Sequence, residues 1–228
     1  MARSQFLALA LAPALLYYSF VTYSQQSTGK LVLIIGPSGV GKSVILKELR
    51  SRHPEFHFPK SATTRKRREG EGDDLYNFVS DEEFDAHVEE GEVLEWAVVH
   101  GGARYGTLAE EIVPYIEEGR TVIREVDVQG FDSIRNHQLF RRRPAEALAK
   151  AGGENPPYAL QSIFILPENE EQLVKRITKR APIDDDELNR RKASIEKELT
   201  YADLCDAKIN NVEGKLDDTV SEVEKIII

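Results

Sequence analysis

"KLVLIIGPSGVGKSVILKELRSRH", residues 30 to 53, decides the fold. Leu31 to Ile35 is an unbroken apolar run, short and β-branched, as a strand buried on both faces requires. After the turn, Val44, Ile45 and Leu49 recur at helical spacing. Strand, glycine turn and helix open a βα unit. Between them "GPSGVGKS" fits G-x-x-x-x-G-K-[ST] in the context that gives the pattern its meaning. Gly36, Gly39 and Gly41 let successive N-H groups turn inward to cradle phosphate oxygens, and the helix N-terminus adds a favourable field. Lys42 is placed to reach the β/γ-phosphates and Ser43 to ligate Mg²⁺. The loop Gly36, Pro37, Ser38, Gly39, Val40, Gly41, Lys42 and Ser43 therefore predicts ATP or GTP binding, and leaves open what receives the phosphate.

The rest of the chain narrows the class. With 228 residues, 30 Lys+Arg and 39 Asp+Glu, it suits one domain or one domain with insertions. The formal charge of -9 makes a nucleic-acid polymer a poor partner. Cys205 is the single cysteine, which excludes an intramolecular disulfide and a cysteine-cluster metal site. Residues 1 to 27 stand apart as an apolar leader or extension. No charge occurs from Ser4 to Gly29, and "FLALALAPALLYYSFV", residues 6 to 21, resembles a signal or anchor, although it is short for a bilayer and carries Pro13. A cytoplasmic location is expected, with an organellar or membrane-anchored one through residues 6 to 21 as the alternative. Membrane contact by this segment stays open, as does monomer versus homodimer.

"RTVIREVDVQG" and "LQSIFILPE" read as further strands followed by turns and helices, and "CDAKINN" as a weaker strand before the last helix. Strands alternating with helices predict an α/β fold with a central parallel sheet flanked by helices. Ser80 and Glu83 form a capping-box pattern for a helix ending near Gly91. The reading divides the chain into a core, residues 28–60 and 108–228, and an inserted subdomain, residues 61–107. Residues 136–157, basic and rich in Gly and Pro, read as a surface excursion with a short helix at "PAEALAKA". A charged helix from about Asp186 to Asp203 carries a narrow stripe of Leu188, Ile195 and Leu199.

"SATTRKRREGEGDDLYNFVSDEEF", residues 61–84, packs four cations into "TTRKRR" within an acidic chain. Together with "LEWAVVHGGARYGT", residues 94–107, it resembles the acceptor-binding region of guanylate kinases, with a Ser-x-Thr-Thr-Arg-x-x-Arg-x-Gly-Glu run, a Tyr, Glu-Trp-Ala, and Tyr-Gly-Thr in order. The resemblance implies a P-loop kinase with a GMP-binding subdomain and a lid at about residues 176–192. Arg65 and Arg68, three apart, would fork onto one phosphate. Ser61, Tyr76 and Tyr105 would complete its oxygen cage, and Lys66 and Arg67 would be solvated. Base choice falls to Glu95, Thr107 and Asp127, since a carboxylate accepts from guanine N1-H and the 2-amino group together.

By the same resemblance Glu125 would hold a water on Mg²⁺ beside Ser43, with Asp127 on the same strand face facing the base. Arg124 interrupts a strand that the family keeps apolar, which predicts a less buried strand end. Arg176, Arg180 and Arg191 would close over the triphosphate, and Asn211 would contact the adenine. The sequence departs from the family in four places: one residue fewer between Glu71 and Tyr76, one more between Glu95 and Tyr105, Ala181 for Gly, and Lys192 for Leu. His53, His57, His87, His100 and His137 form no constellation with carboxylates.

The function expected is guanylate kinase activity: ATP donates its γ-phosphate to GMP, and to dGMP, in purine metabolism. The rivals are a guanylate-kinase-like scaffold that binds proteins and a related P-loop kinase with another small acceptor. Retention of Lys42, Ser43, Arg65, Arg68 and Glu95 argues against the first, and Glu95, Thr107 and Asp127 against the second.

Overall fold

The computed structural model describes residues 29–99, 101–141, 157–180 and 184–228. The apolar leader, residues 1 to 27, and "PAEALAKA" lie outside them.

The apolar run becomes β1 (Lys30–Ile35), which pairs in parallel with β6 (Thr121–Glu125) on one side and β7 (Ala159–Pro167) on the other. With β8 (Ala207–Asn211) beyond β7, the sheet runs β6-β1-β7-β8, parallel throughout. His57 adds a single parallel bridge to Val122 outside β6. Leu31 to Ile35 are all fully buried, which explains why no polar residue alternates through them.

Each face of β1 feeds a different core. Leu31, Leu33 and Ile35 pack with Ile112, Ile116, Phe131 and Phe164. Val32 and Ile34 pack with Ile45 and Leu49 of α1 (Lys42–Arg52) and with Val220, Val223 and Ile227 of the final helix (Leu216–Ile227). Val44 departs from the predicted apolar face, being 48% exposed for a reason the active site supplies.

A second sheet, ordered β3-β2-β5-β4, is built from β2 (Ser61–Thr63), β3 (Tyr76–Phe78), β4 (Val93–Val98) and β5 (Arg104–Leu108). The helix α2 (Asp81–Glu89) covers it, with Phe84 buried against Ala62 and Leu108. Its N-terminus carries the predicted capping box: Ser80 Oγ accepts from Glu83 N at 3.1 Å, and Glu83 Oε2 accepts from Ser80 N at 2.7 Å. The residue added between Glu95 and Tyr105 is absorbed at the hairpin tip. The register Glu95↔Thr107 and Ala97↔Tyr105 is intact below it.

The end of β6 is less buried, as Arg124 suggested: Arg124 and Glu125 are half-buried where Val122 and Ile123 are buried, although the Arg124 side chain is only 15% exposed. One strand-end expectation is corrected. Asp127 does not share a strand face with Glu125, because β6 stops at Glu125 and Asp127 is the N-cap of the next helix, α4 (Val128–Asn136), following the short α3 (Val113–Glu117). The remaining helices are α5 (Glu170–Arg180), α6 (Asp185–Leu199) and α7, the final helix named above. Of the stripe predicted on α6, Ile195 is buried and Leu188 and Leu199 are half-buried. Among the described residues no helix is long and apolar enough to cross a membrane.

Candidate active site

The glycine loop sits at the C-terminal end of β1 and opens α1, where parallel sheets collect ligands because helix N-termini converge there. Lys42 Nζ donates to the loop's own carbonyls, Gly36 O at 2.6 Å and Pro37 O at 3.3 Å. Gly41 adopts φ +108°, and a Cβ there would stand 2.5 Å from Asn211 Nδ2. Only glycine satisfies both the backbone and that neighbour.

Ser43 Oγ donates to Glu125 Oε2 at 3.0 Å. A hydroxyl and a carboxylate side by side are hard oxygen donors of the kind Mg²⁺ takes when phosphates and water complete its shell. Glu125 also lies 3.9 Å from Lys42 Nζ. One carboxylate thus faces both the Ser43 hydroxyl and the loop cation.

Beside the loop lies a cavity of about 470 Å³, lined by Gly39, Gly41, Val44, Arg176, Asn211 and Leu216 among others. This is why Val44 is exposed: it forms an apolar wall of the cavity rather than core. Asn211 lines this cavity from β8. Its side chain is buried, with Nδ2 donating to Val40 O at 2.7 Å and Oδ1 accepting from Thr219 Oγ1 at 3.2 Å, so its polar atoms brace the loop. Arg176 Nη1 donates to the same Val40 carbonyl at 3.2 Å. Arg191 lies half-buried on α6, and the Arg180 side chain lies outside the described residues.

The second sheet assembles the other half of the site. Glu95 and Thr107 face each other in register, and Thr107 Oγ1 donates to Glu95 Oε1. Thr107 is fully buried, and the Glu95 carboxylate is 13% exposed. Arg124 reaches across from β6, its Nη2 donating to Ser61 Oγ at 2.9 Å and lying 3.5 Å from Glu95 Oε1. Ser61 thus stands with Glu95, at the carboxylate end, rather than beside the arginines. Asp127 is exposed, and its Oδ1 accepts from Gly130 N at 2.8 Å, which makes it the cap of the helix that flanks Glu95. A Cβ on Gly130 would be 3.4 Å from Glu95 Oε2.

Arg65 occupies the opposite end. Its Nε donates to Tyr105 Oη at 2.9 Å, and its two terminal nitrogens donate to Glu71 at 2.9 and 2.7 Å. Nη1 also donates to Lys66 O, so four of the five N-H groups of a guanidinium are used. The predicted fork onto phosphate is therefore occupied by Glu71, and one N-H of Arg65 is left. The bonds to Arg65, with help from the Arg68 N-H, hold the Glu71 carboxyl at about 2. Arg65 in turn is pushed above its ordinary value by the same pair.

Tyr76, opposite Ser61 in the β2–β3 register, packs edge-on against Tyr105 at 5.8 Å and beneath the Arg65 guanidinium at 5.2 Å. Arg68 is exposed, its guanidinium open to solvent. Arg67 is not simply solvated: it pairs with Asp73, donates to Glu71 O and stacks on Phe78 at 4.3 Å. Lys66 is exposed as predicted.

The sequence reading missed Glu71 as the holder of Arg65, and Arg124 as the partner of Ser61 and Glu95. For Glu71 a signal existed, a carboxylate six residues after Arg65 within one loop. For Arg124 the signal was a cation directly after the apolar pair Val122 and Ile123.

A glycine loop on the central strand of a parallel sheet, with a second sheet facing it across the cleft, defines a P-loop nucleotide-binding protein of the α/β class. The family model described as Guanylate kinase matches residues 28–142. The chain is 36% identical over 187 residues to a guanylate kinase of Tropheryma whipplei (strain Twist), covering 82% of this chain and 87% of that one. It is 38% identical over 193 residues to a guanylate kinase of Thermosynechococcus vestitus, covering 84% and 90%. In fold it is similar to the crystal structure of guanylate kinase from Anaplasma phagocytophilum, with a TM-score of 0.56 at 22% identity over 88% of this chain and 85% of that one. The chain belongs to the guanylate kinase family, and so to the kinases among transferases.

Proposed function

We propose that this protein transfers the γ-phosphate of ATP to GMP, and to dGMP, giving ADP and the corresponding diphosphate, in the cytoplasm. The observation that carries the acceptor is Glu95, a nearly buried carboxylate whose Oε1 is held by Thr107 while Oε2 stands beside Gly130. Guanine brings two adjacent donors to such a group, whereas adenine on that edge brings no matching pair. A buried acceptor left unpaired by the wrong base discriminates by about 10⁴.

Transfer forms a bond between an acceptor phosphate oxygen and the γ-phosphorus and breaks the bond to the β-bridging oxygen, with ADP leaving. The second pKa of a phosphate monoester is about 6, so the nucleophile is already dianionic near neutrality and needs no general base. Lys42 exchanges its two loop carbonyls for phosphate oxygens and places a cation where negative charge moves. Tyr105 Oη already accepts from Arg65, so its proton is directed away to donate to the acceptor phosphate. Arg68 supplies a second, exposed cation to the same phosphate. Ser43 and Glu125 are the residues that would hold Mg²⁺, which neutralises phosphate charge when bound. The cavity along Val44, Val212 and Leu216 suits an adenine ring, with Arg176 above the loop.

A coupled assay with ATP and each of GMP, dGMP, AMP, CMP and UMP tests the reading. ADP formed with the two guanine nucleotides and not with the others is the expected outcome. Equal turnover with AMP would remove the role given to Glu95.

A further inference from the structure

Arg124 makes three long-range contacts from one side chain. Nη2 donates to Ser61 Oγ at 2.9 Å and lies 3.5 Å from Glu95 Oε1, while Nη1 reaches Pro59 O at 3.5 Å. Its backbone belongs to β6 of the core sheet, whereas Ser61 and Glu95 belong to β2 and β4 of the second sheet, and Pro59 lies in the segment that enters β2. Nε is buried without a partner. A guanidinium placed at that desolvation cost, in a strand whose other core positions are apolar, is not explained by packing, since an aliphatic side chain would fill the space without leaving a buried donor unpaired.

We propose that Arg124 is a positioning and specificity-determining residue for the acceptor base, acting through Glu95 and Ser61. This rests on the reading of Glu95 as the base-binding carboxylate. Thr107 and Arg124 together engage Oε1 and fix the plane of the carboxylate, and with it the direction from which the group accepts the two purine donors. By donating to Ser61 Oγ, Arg124 occupies one of that hydroxyl's two acceptor positions and leaves its proton available to another partner. Ser61 then meets the ligand as a donor. A base edge offered an acceptor by Glu95 and a donor by Ser61 must carry a ring N-H next to a carbonyl, the pattern of a 6-oxopurine and not of a 6-aminopurine. Lysine cannot substitute fully, because its one nitrogen cannot hold Ser61 and Glu95 and also reach Pro59 O, which the two terminal nitrogens of the guanidinium do together.

The test is titration calorimetry of the full chain with GMP and with ATP, together with steady-state kinetics, on wild type, Arg124→Leu, Arg124→Lys and Ser61→Ala. For Arg124→Leu, GMP affinity should fall about tenfold to a hundredfold, the cost of removing a charged hydrogen-bond partner. ATP affinity should stay within about twofold, and the preference for GMP over AMP should shrink. Arg124→Lys should recover part of the GMP affinity. Ser61→Ala added to Arg124→Leu should cost less than the two separate losses combined, because both remove the same donor geometry. Wild-type protein that binds ATP and not GMP overturns the acceptor assignment and this inference with it. Wild-type protein that binds GMP, with Arg124→Leu unchanged in GMP affinity or equally weakened for both nucleotides, overturns this inference alone and leaves Glu95 standing.

Discussion

The two halves of the site are built by opposite means. The donor half is one contiguous loop of eight residues whose binding groups are largely backbone N-H donors, and its shape follows from glycines at fixed offsets. The acceptor half draws Ser61, Arg65, Glu95, Tyr105, Thr107 and Arg124 from four strands and a loop, and its binding groups are side chains held by other side chains. A backbone site is set by conformation, while a side-chain site is set by partners. The first tolerates almost any residue that keeps the dihedrals; the second is sensitive to neighbours that never touch the ligand.

Substitutions sharpen that contrast, and the largest effect is expected in the donor half. Lys42→Ala removes its one essential side-chain charge and should lower kcat about a thousandfold while GMP affinity stays close to wild type. A parallel loss of GMP binding would mean that the halves are not separable. In the acceptor half, Glu95→Gln should reduce kcat/KM for GMP about a hundredfold with the KM for ATP unchanged, since the amide replaces one accepting oxygen by a donor. Gly41→Ala tests whether conformation governs the loop. With φ at +108° and Asn211 Nδ2 at 2.5 Å, it should raise the KM for ATP about tenfold and leave the acceptor kinetics alone. The matching variant Gly41→Ala/Asn211→Ala relieves the clash but not the dihedral, so full recovery would show that the neighbour matters more than the backbone.

The smallest effect concerns pH. Glu71 sits at about 2 against an ordinary 4.5, held down by its bonds to Arg65. A carboxyl depressed in the folded state stabilises fully above the ordinary value and loses that contribution as pH falls from about 4.5 towards 2. The Arg65–Glu71 pair should therefore be intact and insensitive to pH across the neutral range. A carbon-13 titration of the Glu71 carboxyl should give a midpoint near 2, returning towards 4.5 in Arg65→Met. A wild-type midpoint at the ordinary value would dissolve the pair.

The same contrast explains what could be read before the structure was in hand. β1, the loop and α1 were legible because every signal in them is local: period, glycine offsets, and a lysine that the loop itself positions. Ser80 and Glu83 were legible for the same reason. Glu95 and Tyr105 could be placed only through their resemblance to a family, since nothing within a few residues of either says that they share a cleft. Val44 and Asn211 show what local pattern leaves out. Helical spacing did not say that Val44 walls a cavity, and a strand-end position did not say that Asn211, which lines the same cavity, also braces Val40 through its amide. The partners of Arg124 were not legible because they are distant in sequence, Ser61 and Glu95, which strand pattern cannot reveal. Asp127 was set on the wrong element through a boundary: β6 ends at Glu125, two residues short of it, so the carboxylate is a helix cap.

The parallel arrangement of the core sheet has a further consequence for attachment. The nucleotide loop, the Asp127 cap and Asn211 all cluster at the C-terminal ends of their strands, so the opposite rim, where β1 begins at Lys30, is the rear of the molecule. Six residues of strand at about 3.3 Å each set the two rims roughly 20 Å apart. The final helix also closes on that rim, where Lys30 Nζ donates to Ile227 O at 2.6 Å. Cargo, surface or label joined to either end of the described fold is therefore tethered from behind, on the rim away from the nucleotide loop.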